Sequence, residues 1–211
     1  MGGLSTGPAM RIKRHEPDSE QARRYRSDLA GAASAKGIDG RVCGDHCTMI
    51  CPSCGSTACQ CACSPDCEKA PQVLSVDPNM PIEPAIVPLV FEMQRLGLFT
   101  PCWSCEGHTG VDGKLWKIPR VWFFCDSTTH LRLLSDGLKD LETSGKLSTR
   151  WQVVVTFSDP DNPATTFSLE PAMPLQEAAA LSTLQRDVRT IAGALGSMIT
   201  RQAGTLQKAA T

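Results

Sequence analysis

The hydrophobic positions in the second half of the chain recur at helical spacing in three segments. In PIEPAIVPLVFEMQRLGLF, apolar side chains fall three or four residues apart, which predicts a helix that Gly97 ends and that Pro88 shortens or kinks. STTHLRLLSDGLKDLETSG predicts a second amphipathic helix, with Ser127 or Thr128 available as its N-cap. A third, longer helix is predicted over roughly residues 175–202. Its apolar stripe consists of Leu181, Leu184, Val188, Ile191, Leu195 and Met198.

Segments with strand character lie between these helices. RWQVVVTFSD alternates apolar and polar positions, and this predicts a strand with one apolar face formed by Trp151, Val153, Val155 and Phe157. TTFSLEP, after the turn residues PDNP, is predicted to be its hairpin partner. KIPRVWFFCD predicts another strand, and LFTPCWSC is expected to be extended. This order predicts an α+β domain over residues 81–205, in which helices cover one face of a small, mainly antiparallel sheet.

The first eighty residues lack this periodicity. Residues 1–42 are polar and rich in Gly, Ala and Ser, and we predict a mostly disordered arm with a short helix around Glu20–Ala33. Residues 43–70 contain almost no large apolar side chains, so we expect a cysteine-rich module that folds through metal binding rather than through a hydrophobic core. Residues 71–80 are predicted to be a linker.

Charge and composition argue against some functions. The 211-residue chain has a formal net charge of −1, which does not suit a protein that binds nucleic acid over its whole surface. Binding of nucleic acid by a smaller patch stays open. No secretory signal and no apolar run of the ~20 residues that span a bilayer are visible, so we expect a cytoplasmic protein outside the membrane. Because cytosolic thiols stay reduced and the eleven cysteines are an odd number, disulfides explain them poorly.

Eight of the cysteines are concentrated in the segment CGDHCTMICPSCGSTACQCACSPDC. They form four consecutive pairs, which could hold two tetrahedral zinc ions. CPSCG has the form of a zinc knuckle, whereas the alternating CQCAC suits thiolates that bridge several metal ions. His46 could replace one thiolate or lie in a loop without a ligand role. The predicted ligands are Cys43, Cys47, Cys51, Cys54, Cys59, Cys61, Cys63 and Cys67.

An iron–sulfur cluster is the alternative occupant of this segment. Cys47, Cys51 and Cys54 have the C-x3-C-x2-C spacing of radical S-adenosylmethionine enzymes, although no barrel-sized domain follows them. Four of the eight thiolates could also hold a plain cluster. The sequence does not separate zinc from iron, because thiolate binds both metals.

TPCWSCEGHTG is the second concentration of reactive side chains. Cys102, Cys105 and His108 could bind a metal ion, with Cys125 from the neighbouring strand as a fourth ligand. Cys102 and Cys105 could instead form a redox dithiol, or the segment could be a structural turn with small buried thiols. In an enzyme, Glu106 or His108 would act as the acid or base. Core packing or a pocket near His108 would explain the four tryptophans Trp103, Trp116, Trp122 and Trp151.

The runs PLVFEMQRLGLFTPCWSCEGHTGVDGKLWKIPRVWFF and FSDPDNPATTFSLEP resemble an uncharacterised family of bacterial, mainly alphaproteobacterial, proteins with a cysteine-rich front and a CWSCEGH loop. The resemblance covers about Cys51 to Pro171 and implies no specific activity. The SCEGH pentapeptide is also similar to one in small phage and bacterial proteins. More distantly, the segment resembles a strand and turn of the tRNA wybutosine-synthesis methyltransferase family. Glu106 and His108 depart from that family, which has serine and arginine there.

Taken together, the sequence predicts a zinc-binding protein with a structural thiolate module and a second Cys/His site on an α+β domain. The alternatives are an enzyme that acts on a small molecule or an RNA nucleotide at the Glu106/His108 loop, and an iron–sulfur or redox protein. A protein partner is compatible with a structural zinc module. The length of the C-terminal helix suggests either a homodimer contact or a covering helix with a frayed end.

Overall fold

The computed structural model describes residues 17–35, 75, 77–156, 164–172 and 180–209. The described part contains four helices and six strands. The helices are α1 (Ser19–Ser34), α2 (Val87–Leu96), α3 (Thr128–Thr143) and α4 (Leu181–Ala209). The strands are β1 (Thr100–Cys105), β2 (His108–Thr109), β3 (Leu115–Lys117), β4 (Arg120–Phe124), β5 (Trp151–Thr156) and β6 (Thr166–Pro171).

Four of these strands form a sheet in the order β1-β4-β6-β5, and every neighbouring pair is antiparallel. The strands β2 and β3 form a separate two-stranded ribbon beside it. The structure confirms the predicted α+β class and the predicted hairpin of β5 and β6.

The core lies between one face of the sheet and the helices. Val121, Phe123 and Leu169 are fully buried on that face, and Phe99 packs edge-on against Phe123 with ring centroids 5.5 Å apart. Helix α4 contacts α1, α2 and α3, and it buries the predicted stripe from Leu184 to Met198. These contacts give the long helix a packing role within the chain.

The short helix predicted around Glu20–Ala33 in the N-terminal region is present as α1, one residue longer at each end. Asp18 and Gln21 form a capping box at the start of α1, and Leu29 and Ala32 are buried against the rest of the domain. The helix predicted for this stretch is therefore confirmed, and its docking on the domain was not predicted. Small residues such as Ala32 bury little area each, and the composition did not reveal that a whole helix would dock.

The boundaries of two helices, α2 and α4, also differ from the predictions. Helix α2 begins at Val87, so Pro88 lies in its first turn, where a missing N–H costs no hydrogen bond. Gly97 ends α2 in the left-handed conformation, at φ 66°, as predicted. Helix α4 begins at Leu181, with Ala180 outside it, and continues to Ala209.

Strand β5 does not bury the whole apolar face that its alternation predicted. Trp151 is buried, but Val155 is 56% exposed. Strand β5 is an edge strand, paired with β6 along its whole length and with no strand on its other side. Phe157 lies outside the described residues.

Among the described residues, no helix combines the length and the apolar character needed to cross a bilayer.

Candidate metal centre

A tight reversal of the chain between β1 and β2 brings two of the predicted ligands together. Cys105 is the last residue of β1, and His108 is the first residue of β2. Gly107 makes the reversal at φ 85°, a conformation that favours glycine. A Cβ atom on Gly107 would lie 2.6 Å from Leu181 Cδ1 and 2.9 Å from Pro119 Cδ. The turn therefore requires glycine both for its conformation and for space.

Glu83, from the segment before α2, completes the cluster. Its Oε1 lies 2.8 Å from His108 Nε2. The thiol of Cys105, the imidazole of His108 and the carboxylate of Glu83 each offer one ligand atom, and these atoms all lie within 4.8 Å of one another. Cys105 is buried, whereas the side chains of Glu83 and His108 are each about one-third exposed. The cluster thus has a buried sulfur and an accessible side.

A reciprocal pair of hydrogen bonds fixes Glu83 against the turn. The backbone N–H of Glu106 donates to Glu83 Oε2 at 2.7 Å, and the backbone N–H of Ala85 donates to Glu106 Oε2 at 2.7 Å. Gln185 Nε2 of α4 donates to the carbonyl oxygen of Glu106 at 3.2 Å. The carboxylate of Glu106, a predicted candidate acid or base, accepts the Ala85 N–H and thereby positions the segment that carries Glu83.

The electrostatic surroundings of Cys105 favour its neutral form in the absence of a cation. Burial raises the pKa of the Cys105 thiol, and the nearby carboxylate of Glu83 raises it further. The Gly107 N–H, 3.4 Å from Sγ, and the charge of Lys117 act in the opposite direction. A metal ion would reverse this balance, because a coordinated thiol loses its proton.

The donor set consists of groups that bind metal ions. Thiolate, imidazole and carboxylate are the three ligand types that proteins present to Zn²⁺. Three protein ligands leave one tetrahedral position for water or another molecule, as in catalytic zinc sites, whereas structural sites use four. The arrangement could therefore hold a metal ion that also binds an exogenous ligand.

The predicted ligand set differs from this cluster at Cys102. Cys102 is an exposed free thiol, and it does not belong to the group of converging ligand atoms. The reason is that Cys102 and Cys105 lie in a strand, in which residues three apart are separated by about 10 Å along the chain. A zinc knuckle instead needs a turn between its two cysteines. Glu83 takes the place that was predicted for Cys102.

Cys125 lies at the other end of the sheet from Cys105. Strands β1 and β4 are antiparallel, with Cys105 opposite Arg120 and Thr100 opposite Phe124, so that Cys125 follows the distant end. Its Sγ donates a hydrogen bond to the carbonyl oxygen of Ser127 at 3.3 Å. The three described cysteines are all free thiols. The eight predicted ligands between Cys43 and Cys67 lie outside the described residues.

The sequence prediction missed Glu83, which is 23 residues before Glu106 in the chain. No spacing rule connects positions so far apart. The tryptophans are divided between the core and the surface. Trp151 is buried and donates through Nε1 to Asp187, whereas Trp103 and Trp116 are exposed. Trp116 lies beside His108, with ring centroids 6.4 Å apart.

No protein-family model, curated protein or solved structure matches this chain.

Proposed function

We propose that this protein binds zinc, at Glu83, Cys105 and His108 in the α+β domain and at thiolates of the Cys43–Cys67 segment. The observation that supports the first site is the convergence of three different donor groups within 4.8 Å, one of them a buried thiol. We place this function in the cytoplasm, where the thiols would stay reduced and able to bind metal.

Zinc suits the donor set of the α+β domain better than the alternative metals do. Iron–sulfur clusters are held mainly by several thiolates, and this site offers only Cys105. Calcium and magnesium prefer oxygen ligands, and the site supplies one carboxylate, from Glu83. The mixture of sulfur, nitrogen and oxygen is typical of Zn²⁺, which is borderline soft.

Zinc in the cysteine-rich segment and zinc in the α+β domain would have different roles. A site made of four thiolates has no open position, and its metal stabilises the fold of a segment that has little hydrophobic core. The site of Glu83, Cys105 and His108 belongs to a domain with a large buried core and keeps one position open. Binding of an exogenous molecule is therefore the role of the site in the α+β domain.

The test is the zinc content of the full chain, purified without oxygen, reconstituted with zinc and freed of excess metal. Cys105→Ser should lower the content by one zinc per chain, because the buried thiolate is lost. Cys102→Ser is the matched control, since it changes the same residue type in the same strand outside the cluster, and it should retain the wild-type content.

An unchanged zinc content in Cys105→Ser would contradict binding at this site. Iron, sulfide and visible absorption in the protein as isolated would instead support the iron–sulfur alternative for the Cys43–Cys67 segment. The two results concern different sites, and the Cys105→Ser comparison distinguishes them.

A further inference from the structure

The two-stranded ribbon places an exposed tryptophan at the rim of the Glu83/Cys105/His108 cluster. His108 pairs with Lys117 and Thr109 pairs with Leu115, so Trp116 is the extra residue of a bulge. Bulges redirect side chains and are common beside functional sites. Trp116 is 62% exposed, and its ring centroid is 6.4 Å from that of His108.

Packing does not explain this tryptophan. A large aromatic side chain gains most of its stabilising energy when buried, and Trp116 leaves most of its surface in water. The surface it presents is flat and apolar, and it adjoins the accessible side of the cluster. Such a surface suits a planar ring, because aromatic rings stack on tryptophan with little dependence on their exact chemistry.

Lys117 adds a positive charge to the same rim. Its Nζ lies 4.4 Å from the centre of the Trp116 ring. A Zn²⁺ ion with one carboxylate and one thiolate ligand is formally neutral, so an anionic fourth ligand would leave a net negative charge at the site. The ammonium group of Lys117 is placed to offset that charge.

We propose that the fourth position of this metal site receives a small aromatic oxyanion, whose oxygen coordinates the metal, whose ring stacks on Trp116 and whose charge Lys117 offsets. This inference rests on the proposed zinc binding at Glu83, Cys105 and His108. It assigns the ligand class by three features of the rim: an open metal position, an exposed flat ring and a cation.

The test uses the full chain loaded with Co²⁺ and two probes, benzoate and acetate. The two probes have the same metal-binding group, which carries a phenyl group in the first probe and a methyl group in the second. Binding is followed by the change in the visible spectrum of Co²⁺, because a closed four-thiolate site has no position for the probe. Wild-type protein should bind benzoate about tenfold more tightly than acetate, the effect expected of one stacked ring.

Trp116→Ala should reduce this phenyl preference to about twofold or less without changing Co²⁺ binding. Trp103→Ala, which removes another exposed tryptophan outside the cluster, should keep the wild-type preference. Lys117→Gln should weaken both probes by about fivefold and leave their ratio unchanged, because the charge acts on the shared anionic group.

A wild-type protein with no phenyl preference, or a preference that survives in Trp116→Ala, would overturn this inference. Cys105→Ser separates this failure from a failure of the proposed function. If the probe-sensitive Co²⁺ spectrum is the same in Cys105→Ser, or absent from the wild type, zinc binding at this site is wrong. A probe-sensitive spectrum that depends on Cys105 but shows no phenyl preference overturns only the ligand class.

Discussion

The two ends of the β1–β4 pair each bring together a cysteine, a histidine and a carboxylate, but with different results. The end that carries the candidate metal site, called the metal end, has Glu83, Cys105 and His108, and the distant end has Asp28, Cys125 and His130. Only the first set converges as a possible ligand group in the part of the chain that the structure describes. Residue types alone therefore do not identify the metal site.

At the distant end, the polar groups hold helices in place. Asp28 Oδ2 accepts a hydrogen bond from Ser127 Oγ at 2.6 Å, and Ser127 Oγ accepts one from the His130 backbone N–H at 3.3 Å as the N-cap of α3. The ring of His130 contacts the carbonyl oxygen of Asp28, and Cys125 donates to the carbonyl oxygen of Ser127. These side chains line a cavity of about 490 Å³, but their partners are within the protein.

At the metal end, the backbone orients the side chains without occupying all their ligand atoms. The N–H of Glu106 uses one oxygen of Glu83, and the other oxygen faces His108. The comparison shows that the candidate site is distinguished by the convergence of one ligand atom from each of three side chains, all within 4.8 Å of one another.

Replacing His108 or His130 by alanine should give the largest difference between the two ends, in zinc affinity. His108→Ala removes a ligand, and we expect it to weaken zinc binding at this site by about 100-fold or more. Even the loss of a residue that hydrogen-bonds to a metal ligand lowers metal affinity by about 10- to 100-fold. His130→Ala should leave zinc affinity unchanged. Competition with a zinc chelator measures both affinities, and equal effects of the two substitutions would contradict the assignment.

Replacing the two turn glycines, Gly107 and Gly97, by alanine should destabilise the protein to different extents. Gly107→Ala forces Cβ against Leu181 and Pro119 at positive φ, and we expect a loss of about 3 kcal/mol in the free energy of unfolding. Gly97→Ala has the same sign of φ but no atom within 4 Å of the new Cβ, and it should cost about 1 kcal/mol. Urea unfolding gives both values. A loss at Gly97 as large as that at Gly107 would contradict the close packing of the metal-end turn.

Ser127→Ala tests whether the distant end is structural. Loss of the α3 N-cap and of the hydrogen bond to Asp28 should lower the free energy of unfolding by about 1.5 kcal/mol without changing zinc content. Ser197→Ala, in the exposed middle of α4, is the control and should change stability by less than about 0.5 kcal/mol. A lower zinc content in Ser127→Ala would show that the distant end also contributes to zinc binding.

The effect of zinc on the alkylation of Cys105 and Cys125 should show the smallest difference between the two ends. Burial raises the pKa of the Cys125 thiol above 9.0, the ordinary value, so its reactive thiolate is scarce at neutral pH. Its alkylation rate should keep rising with pH beyond 9.0, and zinc should not change it. Zinc should protect Cys105, as peptide mass spectrometry would show. Protection of Cys125 by zinc would place a metal at the wrong end.

The helices α2 to α4 and the strands of the four-stranded sheet could be predicted because their periodic apolar residues form a continuous core. The short strands β2 and β3 were not predicted. Helix α1 could also be predicted, but its docking could not, since its buried contacts rest on Leu29 and the small Ala32 and become favourable only after docking. Cys105 and His108 were found from local spacing, whereas the contact with Glu83 depends on the path of the chain between them. The C-x2-C spacing could not show that Cys102 would lie in a strand. Zinc binding by the Cys43–Cys67 segment and the family resemblance stay predictions.

Cadmium-113 NMR of the fully metal-loaded chain tests zinc binding in the α+β domain most directly, because the chemical shift depends on the number of thiolate ligands. We expect one resonance at a one-thiolate position, separate from those of thiolate-rich sites, that disappears in Cys105→Ser and persists in Cys102→Ser. A spectrum that contains only thiolate-rich resonances, unchanged by Cys105→Ser, would contradict the metal site of Glu83, Cys105 and His108.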